Sequence, residues 1–337
     1  MFRKTLSSLA ILSGLSSAAN AQCAGDGPIL DVPTTIRLGE TVTVHMSSDI
    51  PAVDYFQLFA STGSGPTDLG SYGIACVSFP AIVDQVFPVG EDGTATAEIE
   101  IACDPALVGL VVYTQFITCG AHGETTHNIS NMIEVNVIDG VCEGDMLGFT
   151  QGGWGTVCSG GNPGCRRDAW FPTVYPNGVV IGDADGIDGD GCYALRFTSS
   201  AAVETFLPAG KTPSILKADA TNPKSSAAGV FAGQLLAAKL NVDFDDAGAF
   251  DDDKARDDVK LGDLVFVGGV DADLLGWSVR DLIALADEAI CGAFGKGGID
   301  ITGDGIADVT IADLSNALDV LNNEFDNGGQ DRNLNIS

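Results

Sequence analysis

Apolar and polar residues alternate along the chain between about residues 28 and 140. Val42, Val44 and Met46 are each separated by a polar residue, and the run TATAEIEI at 94–101 repeats the pattern. Glycine-containing turns interrupt the alternation, and no helix-length period is present. Strict alternation in short segments is typical of strands with one buried face. The first part of the chain is therefore predicted to be an antiparallel β-sandwich of roughly seven short strands.

The pattern changes after Cys142, where helical spacing of apolar residues begins. Ala227–Leu240 is mostly apolar but about fourteen residues long, which is too short to span a bilayer and predicts a buried helix. A second helix is predicted to begin at Ser278 and end at Gly292, and a third to begin at Thr310. The second part is therefore predicted to be a mixed α+β domain.

The N-terminus has the features of a secretory signal peptide. Arg3 and Lys4 precede an apolar run at 6–15, and small residues at 19–21 form a cleavage site. Export of a mature chain beginning at Gln22 from a bacterial cell is predicted. The predicted organisation is a signal peptide at 1–21, a β-sandwich domain at 22–140 and a mixed α+β domain at 141–337, with no membrane span after cleavage.

Charge limits the possible partners of this protein. The chain has 16 basic and 46 acidic residues and a formal net charge of −30. Such a chain repels nucleic acids and anionic membrane surfaces and attracts divalent cations. We therefore expect no binding to nucleic acid. The expected partner is an extracellular or cell-envelope protein or polysaccharide.

Nine cysteines follow the predicted signal peptide, without a C-x-x-C pair. In an exported protein such cysteines predict disulfides in preference to a zinc site. We expect Cys158 to pair with Cys165 across a glycine-rich loop, and Cys192 to pair with Cys291. Because nine is odd, one thiol stays free or pairs between chains, and Cys23 near the mature N-terminus is the expected one.

Two stretches resemble modules of other secreted proteins. The run VFPVGEDGTATAEIEIACDPALVGLVVYTQFITC with the following SNMIEVNVI, about 86–138, resembles a β module repeated in secreted proteins of planctomycetes and related bacteria. The blocks TQGGWG, FPTVYPNGVVIG and LNNEFDNG, within about 148–328, resemble an uncharacterised C-terminal module of large secreted bacterial surface proteins. The resemblance implies a surface or matrix role and no reaction.

The sharpest local motif is GIDITGDGIADVTIADL at 298–314, in which oxygen-bearing side chains recur every second residue. Calcium loops use this spacing because Ca²⁺ takes six to eight oxygen ligands gathered around a tight turn. It resembles a single dockerin-like or thrombospondin type 3-like loop with a lengthened exit, since position twelve is Ile311. A solvated acidic turn is the alternative. The candidate ligands are Asp300, Thr302, Asp304, the carbonyl of Ile306, Asp308 and the late acid Asp313.

Two further acidic runs are weaker candidates for calcium. The run GDADGIDGDG offers Asp183, Asp185, Asp188 and Asp190 among glycines, and its interpretation as a metal loop or a plain loop stays open. The run from Asp243 to Asp258 is dense in acids but lacks a turn pattern, so a solvated charged loop is expected there.

Catalytic motifs fail on spacing. His122 and His127 are five residues apart, where a zinc-protease helix needs four. The sequence AGKT at 209–212 ends like a phosphate loop but lacks the earlier glycine, and no G-x-S-x-G occurs. No catalytic residue is therefore assigned.

The expected function is that of a secreted, calcium-stabilised structural, adhesive or extracellular-matrix protein without catalytic activity. One alternative is a carbohydrate-binding or carbohydrate-active protein that uses Trp154, Trp170 and Tyr175, with Phe171, for stacking on sugars, although core packing of these aromatics is favoured. The other is a dockerin-like assembly module.

Overall fold

The computed structural model describes residues 27–50, 53–69, 74–120, 128–183, 192–250, 258–294, 298–329 and 332–336, together with the backbone of Lys4–Thr5. The chain divides into two compact units, Met1–Gly140 and Val141–Ser337. The first unit is made of strands and the second is rich in helices, which confirms the predicted fold class.

Two sheets make up most of the first unit. Their orders are β1-β9-β4-β2 and β3-β11-β10-β5-β8, and β6 and β7 form a separate hairpin. Neighbouring strands are antiparallel except for the β1–β9 and β3–β11 pairs. The strands are β1 Lys4–Thr5, β2 Ile29–Asp31, β3 Thr35–Arg37, β4 Thr41–Ser47, β5 Tyr55–Ser61, β6 Ser64–Asp68, β7 Ile74–Val77, β8 Val83–Pro88, β9 Thr94–Glu100, β10 Val111–Cys119 and β11 Ile133–Ile138.

Apolar side chains from both sheets line one cavity of about 80 Å³. Val42 and Val44 reach it from β4, and Leu58 and Val137 reach it from the other sheet. The alternation in β4 is as predicted, because its apolar residues are buried and His45 is exposed. The cavity therefore lies in the apolar interior of the sandwich.

Strand β10 departs from simple alternation. Gln115 is only 2% exposed even though it lies opposite the apolar face, because the β6–β7 hairpin packs on the outer side of this sheet. Its side-chain carbonyl accepts a bond from the N–H of Cys76 at 2.7 Å, and its amide donates to the carbonyl of Ser130 at 2.9 Å. A central strand is thus covered on both faces.

The second unit packs its helices around small sheets ordered β12-β13-β14 and β15-β16. Short 3₁₀ turns occur at Pro105–Leu107 in the first unit and at Leu261–Asp263 and Ala272–Leu274 in the second. The remaining elements are α1 Gln151–Trp154, α2 Pro163–Val174, β12 Val179–Gly182, β13 Ala194–Phe197, α3 Ser200–Phe206, β14 Ala220–Thr221, α4 Val230–Asp246, β15 Val265–Phe266, α5 Val279–Cys291, α6 Ile311–Glu324 and β16 Leu334–Asn335.

Both predicted helix caps are present. The hydroxyl of Ser278 accepts a bond from the N–H of Asp281 at 3.1 Å, and α5 ends at Gly292 with a left-handed φ of 106°. Thr310 and Asp313 form a capping box at the start of α6. Local residue chemistry therefore defines these helix ends.

Helix α4 is the buried helix expected from the sequence, but it runs further than predicted. It continues to Asp246 and includes the first acids of the run that was expected to be a solvated loop. That expectation is wrong for Asp245, which is 3% exposed and accepts a bond from the N–H of Leu261 at 2.7 Å. Residues 251–257 of the run lie outside the described residues.

Both predicted disulfides are present. The Cα atoms are 4.2 Å apart in Cys158–Cys165 and 4.7 Å apart in Cys192–Cys291. Among the described residues the free thiol belongs to Cys119, at the end of β10, whereas we expected Cys23, which lies outside the described residues. Three further cysteines are also disulfide-bonded, namely Cys76, Cys103 and Cys142.

None of the helices in the described ranges combines the length and apolar character needed to cross a bilayer.

Candidate functional site

The acidic loop before α6 is closed by two buried apolar residues. Ile299 and Val309 pair in an antiparallel bridge, and they are 1% and 0% exposed. The N–H of Ile299 donates to the carbonyl of Val309 at 2.8 Å, and the N–H of Asp308 donates to the carbonyl of Ile299 at 2.9 Å. The core therefore fixes both ends of the loop, and the acids between them face solvent.

Asp300 holds the loop by accepting backbone hydrogen bonds. One carboxylate oxygen accepts from the N–H groups of Gly303 at 2.6 Å and Asp304 at 3.2 Å, and the other accepts from Gly305 at 2.6 Å. The hydroxyl of Thr302 also donates to it, at 3.4 Å. These bonds, that from Gly305 above all, lower the pKa of Asp300 below its usual value. Gly303 and Gly305 adopt left-handed φ angles of 77° and 88°, which favour glycine.

Asp308 and Asp304 brace the same loop. One oxygen of Asp308 accepts from the N–H groups of Ile301 at 2.6 Å and Thr302 at 2.8 Å, and Asp304 accepts from Ile306 at 2.8 Å. Each of these two carboxylates keeps a second oxygen for which the described residues provide no hydrogen bond. Those two oxygens are the acceptors that remain for a cation.

The donor set fits calcium in type but not in arrangement. All the candidate side chains bind through oxygen, as Ca²⁺ requires. However, within the described ranges no three carboxylate, imidazole or thiol side chains converge into a group that could hold a metal ion. Calcium coordination here requires the carboxylates of Asp304 and Asp308 to turn toward a common centre.

Asp313 was also a candidate metal ligand, but in the structure its carboxylate is used as a helix cap. Its carboxylate accepts from the N–H of Thr310 at 2.9 Å and from the hydroxyl of Thr310 at 2.6 Å. It therefore caps α6, the competing role that the sequence already indicated.

The second candidate calcium run lies mostly beyond the described ranges. Asp185, Asp188 and Asp190 are outside the described residues. Asp183 directly follows β12, and its N–H donates to the carbonyl of Tyr193 at 3.3 Å.

The aromatic residues considered for sugar stacking belong to the core. Trp154 is fully buried, and its indole N–H donates to the side chain of Asn241 at 2.9 Å. Phe171 is 2% exposed, and Trp170 and Tyr175 are partly buried against the same cluster. These residues do not form a stacking surface, and the favoured prediction of core packing is confirmed.

Sequence reasoning missed a polar cluster between α2, β12, α4 and α5. Lys239 forms a 2.5 Å ion pair with Asp287 and donates to the carbonyl of Val180, while the hydroxyl of Tyr175 donates to Asp243 at 2.6 Å. Burial raises the pKa of both carboxyl groups, and Lys239 partly offsets this. The cluster joins Lys239 and Asp243 of α4 to Tyr175 and Asp287 from distant parts of the chain, so no local motif indicated it.

Comparisons with known proteins assign no family. No protein-family model and no curated protein matches the chain. Among solved structures, it is similar to the sulfur carrier protein SoxY from Chlorobium limicola f thiosulfatophilum, with TM-score 0.21, 11% identity, 34% coverage of this chain and 81% of that one. It is also similar to superoxide reductase (neelaredoxin) from Ignicoccus hospitalis, with TM-score 0.21, 13% identity, 33% coverage of this chain and 80% of that one. A CARDB domain from Pyrococcus furiosus, solved in complex with di-metal ions, has TM-score 0.19, 7% identity, 36% coverage of this chain and 100% of that one. At these scores the similarities carry no functional argument.

Proposed function

We propose that this protein is a secreted structural or adhesive protein of the bacterial cell surface or extracellular matrix, without catalytic activity. Its partner is an extracellular protein or polysaccharide. Calcium stabilises it by binding at the 298–310 loop.

The observation that supports export is the cysteine chemistry. Cysteines of both units are disulfide-bonded, and Cys119 carries the free thiol of the described residues. Disulfides persist in oxidising compartments and are rare in the cytosol. This agrees with the signal-peptide pattern at residues 1–21 and with the resemblance of both halves to secreted modules.

Export is tested on protein recovered from the medium or envelope of the native or a secreting host. Intact mass is expected to correspond to a chain that begins at Gln22, and thiol titration after unfolding is expected to find one thiol per molecule. That thiol is lost in Cys119→Ser. A retained signal segment, or several free thiols in exported protein, would contradict the proposal.

Calcium would be held by the carboxylates of Asp304 and Asp308, with Asp300, the Thr302 hydroxyl and the Ile306 carbonyl completing the oxygen set. When bound, the cation neutralises the repulsion between these acids directly before α6. Weak affinity is expected for an extracellular loop of this kind, with a Kd of about 10⁻⁴ to 10⁻³ M.

Millimolar calcium is expected to raise the melting temperature, and EDTA is expected to reverse the shift. Ligand linkage gives about 1.4 to 2.7 kcal/mol of stabilisation at 10 mM Ca²⁺ for that affinity range. Asp304→Asn removes the charge but keeps an acceptor for the N–H of Ile306, so it should erase most of the calcium response without unfolding the loop. Differential scanning calorimetry measures both effects.

The matched control is Asp273→Ala, which removes an exposed acid from the 3₁₀ turn at Ala272–Leu274. It should keep the full calcium shift. A shift of equal size in Asp304→Asn and Asp273→Ala would mean that calcium acts on the general negative charge and not on this loop.

The absence of catalysis is part of the proposal and has its own test. The purified protein is incubated with panels of chromogenic glycosides and peptide substrates. Reproducible turnover that a single carboxylate substitution abolishes would overturn this part.

A further inference from the structure

The sequence AGKT at 209–212 lacks the glycine spacing of a phosphate loop, but its first three residues, Ala209, Gly210 and Lys211, line a small pocket in the folded protein. The pocket has a volume of about 170 Å³. It is smaller than the 300–1,000 Å³ typical of sites for whole drug-sized ligands, so it suits one chemical group. We call it the Lys211 pocket, and it is lined by Phe206, Pro208, Ala209, Gly210, Lys211, Lys224, Ser225, Ser226 and Gly229.

The charge of the Lys211 pocket is opposite to that of the protein. Two of the eight lysines of the chain line it, and none of the acids that the structure describes does. Both lysines are exposed, and neither forms an ion pair with any described residue. A chain with a net charge of −30 thus keeps two cationic groups together around one concave site.

A buried hydroxyl in the wall of this pocket has no partner. The Oγ atom of Ser226 exposes less than 1 Å² and makes no hydrogen bond. A buried polar group without a hydrogen bond is unfavourable. Rotation of the Ser226 side chain toward the pocket would let a ligand accept a hydrogen bond from its hydroxyl, and this unpaired hydroxyl points to a ligand independently of the lysines.

The backbone around the pocket also favours an anion. Gly229 lies at the start of α4, a helix of 17 residues whose N-terminus has no side-chain cap. The positive end of a helix dipole attracts negative groups. Gly229 has a φ of 63°, and a Cβ there would lie 2.3 Å from the carbonyl of Thr212, so only glycine allows this close approach of helix and loop.

We propose that the Lys211 pocket binds a tetrahedral oxyanion, that is a phosphate or sulfate group, either free or as the ester of an extracellular sugar. Lys211 and Lys224 supply the charge, the hydroxyls of Ser225 and Ser226 supply hydrogen-bond donors, and the start of α4 adds the positive end of its dipole. Binding of the oxyanion needs neither calcium nor a surface role, and only the extracellular source of a sugar ester rests on the proposed function.

Isothermal titration calorimetry on the full disulfide-bonded chain, at low ionic strength, tests the proposal directly. The probes are inorganic phosphate, inorganic sulfate, glucose 6-phosphate, glucose 6-sulfate and uncharged glucose. At least one anion is expected to bind with 1:1 stoichiometry, more weakly as salt is added, and glucose is expected not to bind. Tighter binding of an ester than of its inorganic anion identifies a sugar ester as the source, and equal or weaker binding identifies the free anion.

Variants assign the binding to this pocket. Lys211→Gly removes the charge and tolerates the φ of 79° at this position, and Lys224→Gln removes the second charge. Each is expected to weaken binding about tenfold, the loss of one charge-assisted hydrogen bond. Ser226→Ala should weaken binding several-fold without lowering the melting temperature, because its hydroxyl bonds to nothing in the protein. Lys217→Gln, an exposed lysine outside the pocket, is the matched control and should bind as the parent does.

Two results would overturn the proposal. One is the absence of binding by all four anions at concentrations up to about 20 mM, which would place every dissociation constant above the millimolar range. The other is a dissociation constant that changes less than twofold in Lys224→Gln and in Lys211→Gly. Should Lys211→Gly lower the melting temperature, Lys224→Gln decides alone, since Lys224 has an ordinary backbone conformation.

Discussion

At the scale of single residues, Arg167 is the most informative buried side chain. It is fully buried, donates to the carbonyls of Trp154 and Thr156, and forms ion pairs of 2.8 Å with Asp168 and 2.6 Å with Glu204. Burying a charge is costly unless hydrogen bonds and opposite charges compensate it. A neutral residue in place of Arg167 would therefore leave these polar partners without their hydrogen bonds.

Arg167→Met is expected to destabilise the protein by about 2–4 kcal/mol, because it leaves the carbonyls of Trp154 and Thr156 without this hydrogen-bond donor. The carboxylates of Asp168 and Glu204 add less, since their side chains are 40% and 32% exposed and can be rehydrated. Urea unfolding monitored by tryptophan fluorescence measures the change. The matched control is Arg280→Met, which breaks the exposed ion pairs with Asp246 and Asp263 and should cost at most about 1 kcal/mol. Equal losses in the two variants would show that Arg167 contributes no more than a surface charge.

At the scale of elements, the two disulfides constrain very different lengths of chain. Cys158–Cys165 closes 7 residues around the start of α2, whereas Cys192–Cys291 joins the segment just before β13 to the end of α5 across 99 residues. In the chain-entropy account, a longer closed loop restricts the unfolded chain more strongly.

Removing the long-range disulfide is expected to cost about 4.7 kcal/mol, and removing the short one about half as much. The double variants Cys192→Ala/Cys291→Ala and Cys158→Ala/Cys165→Ala are compared by denaturant unfolding. A larger loss in the short-loop variant would mean that local packing around α2, and not chain entropy, dominates.

The sequence predicted those structural features that depend on interactions between residues a few positions apart. The caps at Ser278 and Thr310, the αL glycine at 292 and the alternation in β4 all depend on neighbours along the chain. The two units and their fold class follow from such patterns because periodicity reports which face of an element is buried.

The features that the sequence did not predict depend on contacts between distant residues. Gln115 of β10 is polar, yet the hairpin of β6 and β7 covers it, a contact that no local pattern encodes. In the acidic loop the spacing indicated a set of oxygen-bearing side chains, yet it could not show that Asp300 bonds to backbone N–H groups. The Lys211 pocket is formed by residues from 206–211 and from 224–229. The AGKT motif alone contains only the first of these segments, so its spacing could not predict the pocket.

At the scale of the whole molecule, the excess of acid is partly used as backbone caps. Asp104, Asp271 and Asp313 each accept a backbone N–H at the start of a helix or 3₁₀ turn, and Asp300 does the same for its loop. Carboxylates are stabilised at such positions because unpaired N–H groups carry partial positive charge. The net charge of −30 therefore coexists with a well-ordered backbone, and salt should act mainly on the acids that have no such role.

The apolar cavity between the sheets of the first unit has a mechanical consequence. Empty space inside a folded protein is eliminated when water enters on unfolding, so hydrostatic pressure favours the unfolded state in proportion to the void. A cavity of about 80 Å³ corresponds to about 50 mL/mol, which lies within the usual range of unfolding volumes for whole proteins. Compression therefore acts on the sandwich through this cavity, and a larger side chain at Val44 would make this unit less compressible.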